Sequence, residues 1–477
     1  MTAIASNLSQ AKNALVRAVL FNNKPTPELA AIILVYFVQG IIGLSQLAIS
    51  FYLKDDLGLT PAQTSALLGI SILPWTIKPV FGFISDGLPI ARYRRRPYLV
   101  LAGLLGTIAW LAMATVVQDA RAVTVAIVAS GTATAMSDVI VDSIVVERVR
   151  LESQAVTGSL QSLCWSASAV GGIIAAYLGG ILLEYVSVRT VFAITAVFPL
   201  IVLGVSWLID EHPVSDSHSH NIITQQVQTL WQTLKQRSIW MPVLFIFLWQ
   251  ATPSSGSAFF FFVTNDLGFQ PEFLGRLNLV SSVAGLVGVW IFQQFLKAVP
   301  IRKIIFWSII LSTVLGLTAL ILVTHANRAI GISDEWFSLG DTLILAVTGK
   351  IALMPLLVLA ARICPMGIEA TLFALLMSVF NGANLVSQEG GAILTHLLGV
   401  TETNFERLWL LVLITTSTSL LPLPFMGLLS ATDTSTSQIV EDAIALEPET
   451  GANPVQMTPD SVASSLGNLP SVGVSPD

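Results

Sequence analysis

Apolar runs of about 20 residues recur along the chain, separated by short polar stretches. A helix of roughly that length spans the hydrocarbon core of a bilayer. On that rule helices are expected near 30–53, 63–84, 98–117, 122–146, 155–183 and 190–209. A second set is expected near 239–264, 272–297, 302–324, 341–361, 369–398 and 406–430. The pattern predicts an all-α polytopic membrane protein with about twelve transmembrane helices, arranged as a bundle over 30–209 and a second over 239–430. Residues 1–29 form a polar N-terminal segment and 210–238 a polar linker. Residues 431–477, rich in Ser, Thr, Pro and acidic residues, read as a disordered tail.

Composition agrees. The chain is 54% hydrophobic and only 11% charged, against about 25% charged in soluble proteins. The modest net charge of −6 gives no reason to expect a nucleic-acid partner. Cys164 and Cys364 form neither a disulfide framework nor a metal-ligand spacing. The first residues lack the apolar core and cleavage site of a secretory signal. No nucleophile–base pair, phosphate loop or metal set stands out, so neither an enzyme nor a cofactor is expected.

The basic residues set an orientation, because Lys and Arg beside spans stay on the cytoplasmic side. With both termini inside, fifteen lie in cytoplasmic segments and six in outer loops, leaving Lys78 and Lys350 within spans. The densest cluster closes the stretch Leu73–Tyr98, where Arg92, Arg94, Arg95 and Arg96 follow Asp86. This reads as a cytoplasmic loop after the second span. Gly82, Asp86, Arg94 and Arg95 are candidates for gating there, with Arg362 at the inner end of the tenth span.

An internal echo links the two sets of spans. Asp56-Leu-Gly-Leu-Thr-Pro61 follows the first span, and Asp266-Leu-Gly-Phe-Gln-Pro271 follows the seventh. Parallel six-span repeats with midplane binding sites are the major facilitator architecture. Gly82-x-x-x-Asp86 followed by arginines is similar to the signature which that superfamily carries after its second span.

Charges inside a bilayer are costly, and they face protein or water where they occur. Asp138 and Asp142 share one face of the fourth span, one turn apart, and Lys78 on the second span lies at a similar depth. A pair between Lys78 and one of these aspartates is expected, whether as a structural lock or as part of a proton-coupling network. Glu389 sits in the polar run Asn381-Gly-Ala-Asn-Leu-Val-Ser-Gln-Glu of the eleventh span and is a second proton-coupling candidate. Lys350, mid-span in the tenth helix, is the candidate contact for an anionic ligand. Gln39, Gln250, Asn381 and Asn384 are candidate neutral contacts. The run Phe259–Phe262 points all round its helix and is expected to be packing, with one ring free to stack on a flat ligand.

Several motifs resemble one family. They are Pro74-Trp-Thr-Ile-Lys-Pro79, Ser85-Asp86, Pro89-Ile90, Tyr93-Arg-Arg-Arg-Pro-Tyr98, Asp138-x-x-x-Asp142, Leu267-Gly-Phe-x-Pro-Glu-Phe-x-Gly275, and Glu369-Ala-Thr-Leu-Phe-Ala-Leu-Leu-Met-Ser378 with Asn381. The match covers roughly 39–398 and is similar to the folate–biopterin transporters, a branch of the major facilitator superfamily. Ala91 departs from it, standing where the resemblance leads one to expect glycine. The resemblance implies secondary active transport of folates or pterins by alternating access, coupled to protons, by a monomer in the lipid of the plasma membrane. Rival readings are a facilitator for another organic anion or a sugar, and a receptor or scaffold that transports nothing.

Overall fold

The computed structural model describes residues 25–150, 154–213, 235–296, 299–362 and 369–429. The expected N-terminal segment up to residue 24, most of the linker and the tail lie outside these. Helix covers each expected span, and the described residues include no strand, only an isolated bridge between Ile90 and Tyr93. Among the described residues, ten helices are long and apolar enough to cross a bilayer.

Helix starts follow ordinary capping chemistry. Thr26 caps Pro27–Ile41 through a bond from Leu29 N–H. Thr60 and Gln63 form a reciprocal capping box ahead of Pro61–Ile70. In each case proline opens the helix, where its missing N–H costs nothing.

Several spans are broken, and in the second and the seventh a proline lies at or beside a break. The second span comprises Pro61–Ile70, Leu73–Thr76 and Lys78–Gly87. Pro74 and Pro79 cannot donate to the preceding turn and clash with it, which interrupts the ladder just before Lys78. The seventh span was expected as one helix over 239–264. It is instead two, Arg237–Gln250 and Gly256–Asn265, separated by a stretch containing Pro253. The freed backbone finds partners on the eleventh span (Glu369–Leu397): Ser254 N–H donates to Ser387 O at 3.0 Å, and the Ser387 hydroxyl donates to Thr252 O at 2.6 Å. Broken helices persist in membranes only where neighbours satisfy them in this way.

The sequence echo is also a structural echo. Leu57 N–H donates to Tyr52 O and Leu59 N–H to Leu53 O; 210 residues on, Leu267 N–H donates to Phe262 O and Phe269 N–H to Val263 O. Gly58 and Gly268 occupy equivalent places at φ +59° and +70°, a conformation that side-chain-bearing residues disfavour. The end of the molecule bearing these two loops is called the distal end below; the other is the arginine-loop end.

Four apolar clusters form the core. Two belong to the first six spans, one around Val35, Leu99 and Ile140, the other around Tyr52, Trp110 and Phe192. A third, around Phe262, Leu408 and Leu411 at the distal end of the last six, also takes in Leu47 and Phe51 of the first span (Pro27–Asp56). A fourth gathers Phe245, Ile305 and Leu429 toward the arginine-loop end. Outward-facing positions such as Ile108, Val125, Trp290 and Trp307 are more than half exposed, as lipid contact requires.

Candidate functional site

The fourth span (Ala120–Arg150) carries both aspartates on one face. Lys78, the first residue after the second break in the second span, forms an ion pair with Asp138. Both side chains are largely buried, at 15% and 12% exposure. The Lys78 ammonium also lies 5.1 Å from the Trp75 ring centroid, a cation–π contact. Asp142 is held differently: the buried Tyr36 hydroxyl on the first span donates to its Oδ1. The expected Lys78–aspartate pair is therefore with Asp138. The cluster thus sets two carboxylates beside a single cation. Sequence reasoning missed Tyr36; its signal was a phenol well inside an apolar span, at helical spacing from Gln39.

Gln39 is one turn beyond Tyr36 and faces the interior of the first six spans. It lines a cavity of about 10 Å³ with Thr134, Ser137, Gly103 and Pro199, and its Nε2 has no hydrogen-bond partner among the described residues. A space of that size holds about one water.

The two sets of spans meet along a seam that runs from the distal end to mid-depth. Phe51 and Phe260 stack edge to face at 5.4 Å. Lys54 Nζ donates to Asn265 Oδ1 at 2.8 Å. Gly180 of the fifth span packs on Gly275 of the eighth so closely that a Cβ on Gly180 would lie 2.6 Å from the Gly275 Cα. The Ser65 hydroxyl donates to Gln388 O at 2.9 Å, and Asn381 Nδ2 to Trp75 O at 3.3 Å. The polar run of the eleventh span is thus spent on partners: Asn381 and Gln388 across the seam, Ser387 on the seventh-span break. Glu389 sits against Gly69, whose absent side chain makes the room; a Cβ there would be 2.6 Å from Glu389 Oε1. That oxygen is buried and has no hydrogen-bond partner among the described residues.

Lys350 lies on the tenth span (Asp334–Arg362) with its stem along Gly285 and Gly288 of the eighth. The residue is exposed, and the described residues give it no ion pair. Asn384 and Gln250 are partly exposed. The side chain of Arg362 lies outside what is described. Phe261 and Phe262 are buried, and the rings of the run stack on one another and on Phe51 and Phe405; these are core.

At the arginine-loop end, Asp86 pairs with Arg95 at 2.7 Å within its own loop. Glu211, placed by sequence in the linker, is a further residue that sequence reasoning missed. Its carboxylate accepts the backbone N–H groups of Arg94, Arg95 and Arg96, the latter two at 2.9 Å. It therefore caps the third span (Arg96–Thr115) from the end of the neighbouring sixth span, using the unsatisfied donors and positive pole of that helix. Gly82 faces Val139 of the fourth span.

Comparison with known proteins places this geometry. Residues 39–447 match the BT1 family. The "Folate-biopterin transporter" of Synechocystis sp. is 57% identical over 422 residues, covering 88% of this chain and 85% of that protein. The chain belongs to the BT1 family. A second relative of this BT1 chain, "Probable folate-biopterin transporter 2" of Arabidopsis thaliana, is 31% identical over 416 residues, covering 85% of this chain and 83% of its own. Among solved structures the nucleoside transporter NupG aligns with a TM-score of 0.64 at 14% identity, over 84% of this chain and 99% of its own. The fold is that of the major facilitator transporters, and this BT1 protein is a multi-pass membrane transporter rather than an enzyme.

Proposed function

We propose that the protein carries folates or pterins across the cell membrane by alternating access, as a monomer coupled to protons. The observation that carries the substrate class is the 57% identity, over most of both chains, to a protein named as a folate–biopterin transporter. The chemistry of the site supports it. A folate has a flat, hydrogen-bonding pteridine and a glutamate tail with two carboxylates. Lys350 offers an exposed ammonium with no carboxylate paired to it among the described residues, suited to the tail. Asn384 and Gln250 supply groups that can read a ring edge. The excess carboxylate of the Lys78–Asp138–Asp142 cluster, and Glu389, whose Oε1 has no hydrogen-bond partner among the described residues, support proton coupling.

The arginine loop and both termini face the cytoplasm in this reading, in keeping with the positive-inside bias. The seam closed at the distal end then corresponds to an inward-open carrier. Asp86 and the neighbouring arginines act at the inner gate in the opposite state. Two six-span halves that rock about the substrate account for the echoed loops.

The test is uptake of labelled folate in a host that lacks folate import, with excess pterin or sugar as competitor, and with or without a protonophore. Competition by pterin but not by sugar, abolished by the protonophore, is expected. Competition by sugar, or uptake that ignores folate, overturns the reading.

A further inference from the structure

We propose that Glu389 is the binding site for the coupling proton, and that neutralising it is what allows the second and eleventh spans to seal the distal end. The proposal rests on the reading of proton-coupled transport and selects among its acidic candidates. Asp138 has Lys78 for a partner and Asp142 has the Tyr36 hydroxyl. Glu389 Oε1 has neither among the described residues, although that atom is buried against Gly69 in a side chain that is otherwise partly exposed.

Among the described residues the surroundings offer no compensating charge. The helices Pro61–Ile70 and Leu73–Thr76 that pack on the eleventh span contain no ionisable side chain, nor do Gly256–Asn265 and Leu408–Thr418. On Lys78–Gly87 the charged groups are Lys78 and Asp86, already paired with Asp138 and Arg95. Arg237 begins its helix at the arginine-loop end. On the tenth span Asp341 accepts the Thr318 hydroxyl of the ninth, Asp334 pairs with Arg328, Glu335 stands exposed in the first turn, and the Lys350 stem lies on the eighth span. Arg362 lies outside the described side chains. His396 is two turns further along the helix of Glu389 itself.

A carboxylate with one oxygen buried and unpartnered is better accommodated as the neutral acid than ionised. A proton from bulk water at the distal face forms an O–H bond on the Glu389 carboxyl while the seam is open. The neutral side chain then fits the gap that Gly69 leaves, and the seam closes. When substrate has left, loss of that proton toward the opposite side loosens the seam and returns the carrier to its distal-open form. The sign follows: acid favours the closed seam, and that preference disappears as the pH rises.

The experiment uses the full-length chain in lipid nanodiscs, with Cys164→Ala and Cys364→Ala and spin labels at Asp55→Cys and Glu402→Cys, two exposed positions at the distal end. Electron–electron distances are measured from pH 5.5 to 8.5. The short-distance population is expected to grow as pH falls, by up to about tenfold per pH unit for a single proton. With Glu389→Gln, an isosteric neutral mimic, it should be high and flat; with Glu389→Asp the response should persist. A native protein with no pH response, or a Glu389→Gln variant that keeps the native response, overturns the proposal. In proteoliposomes, folate accumulation by Glu389→Gln should no longer follow an imposed pH gradient. If the native protein moves no folate, the substrate reading falls while the distance measurement still decides the role of Glu389.

Discussion

At the scale of single residues, the arginine loop shows what a single side chain costs. Ile90 and Tyr93 exchange backbone hydrogen bonds at 3.0 Å, and Ala91 and Arg92 between them have φ of +50° and +70°. That is a two-residue turn in which both central positions are left-handed, the geometry that favours Asn-Gly or Gly-Gly. Ala91 holds it against a penalty of about 1–2 kcal/mol. Ala91→Gly should therefore raise the apparent unfolding temperature of the detergent-solubilised protein; an unchanged or lowered value would contradict the strain. The Lys78–Asp138 pair behaves in the opposite sense. Removing one partner strands a buried charge, with a loss of about 3–5 kcal/mol, so Lys78→Met and Asp138→Leu should each collapse the folded yield. Combined, they should recover much of it, and a double-mutant cycle on folded yield measures the coupling. The sequence made this pair legible through depth and charge. It left open which aspartate was involved, because that depends on how the break at Pro79 aims the lysine.

Elements carry the next level of order, and here the gaps between apolar runs proved less informative than the runs. Hydropathy located the helical segments, since the cost of unsatisfied backbone in lipid makes span length nearly obligatory. It did not show the seventh segment breaking at Pro253, because the break is stabilised by Ser387, more than a hundred residues away. The polar run of the eleventh span was legible as a protein-facing stripe, but its partners were not. Glu211 is a similar case: nothing local marks it as the cap of a helix that starts at Arg96. Glu211→Ala should cost about 1–2 kcal/mol, the upper range for a lost cap, and should speed tryptic cleavage at Arg92–Arg96. Cleavage at the native rate would show that the loop is held by its side chains instead.

For the whole molecule, the closed distal seam sets what each charge can do. Lys350 is exposed and has no ion pair among the described residues, which in the proposed reading leaves it for the substrate. Lys350→Gln should weaken competition by folate, with its anionic tail, more than competition by a tailless pterin. A lost charge-assisted hydrogen bond of about 1.5–3 kcal/mol corresponds to roughly ten- to a hundredfold in affinity. Equal losses for both ligands would make the lysine structural. The eleventh span has a consequence for how the chain is made. Within nine residues it holds Asn381, Asn384, Ser387, Gln388 and Glu389, and a charged group at the centre of a helix costs about 2.5–3.5 kcal/mol at the insertion machinery. Such a segment enters the bilayer poorly by itself and needs the second and seventh spans already waiting to receive it. Its insertion is expected to depend on those neighbours. Fused alone into a glycosylation reporter, residues 369–397 should pass through the membrane in a large fraction of molecules, while Glu389→Leu with Gln388→Leu should halt them there.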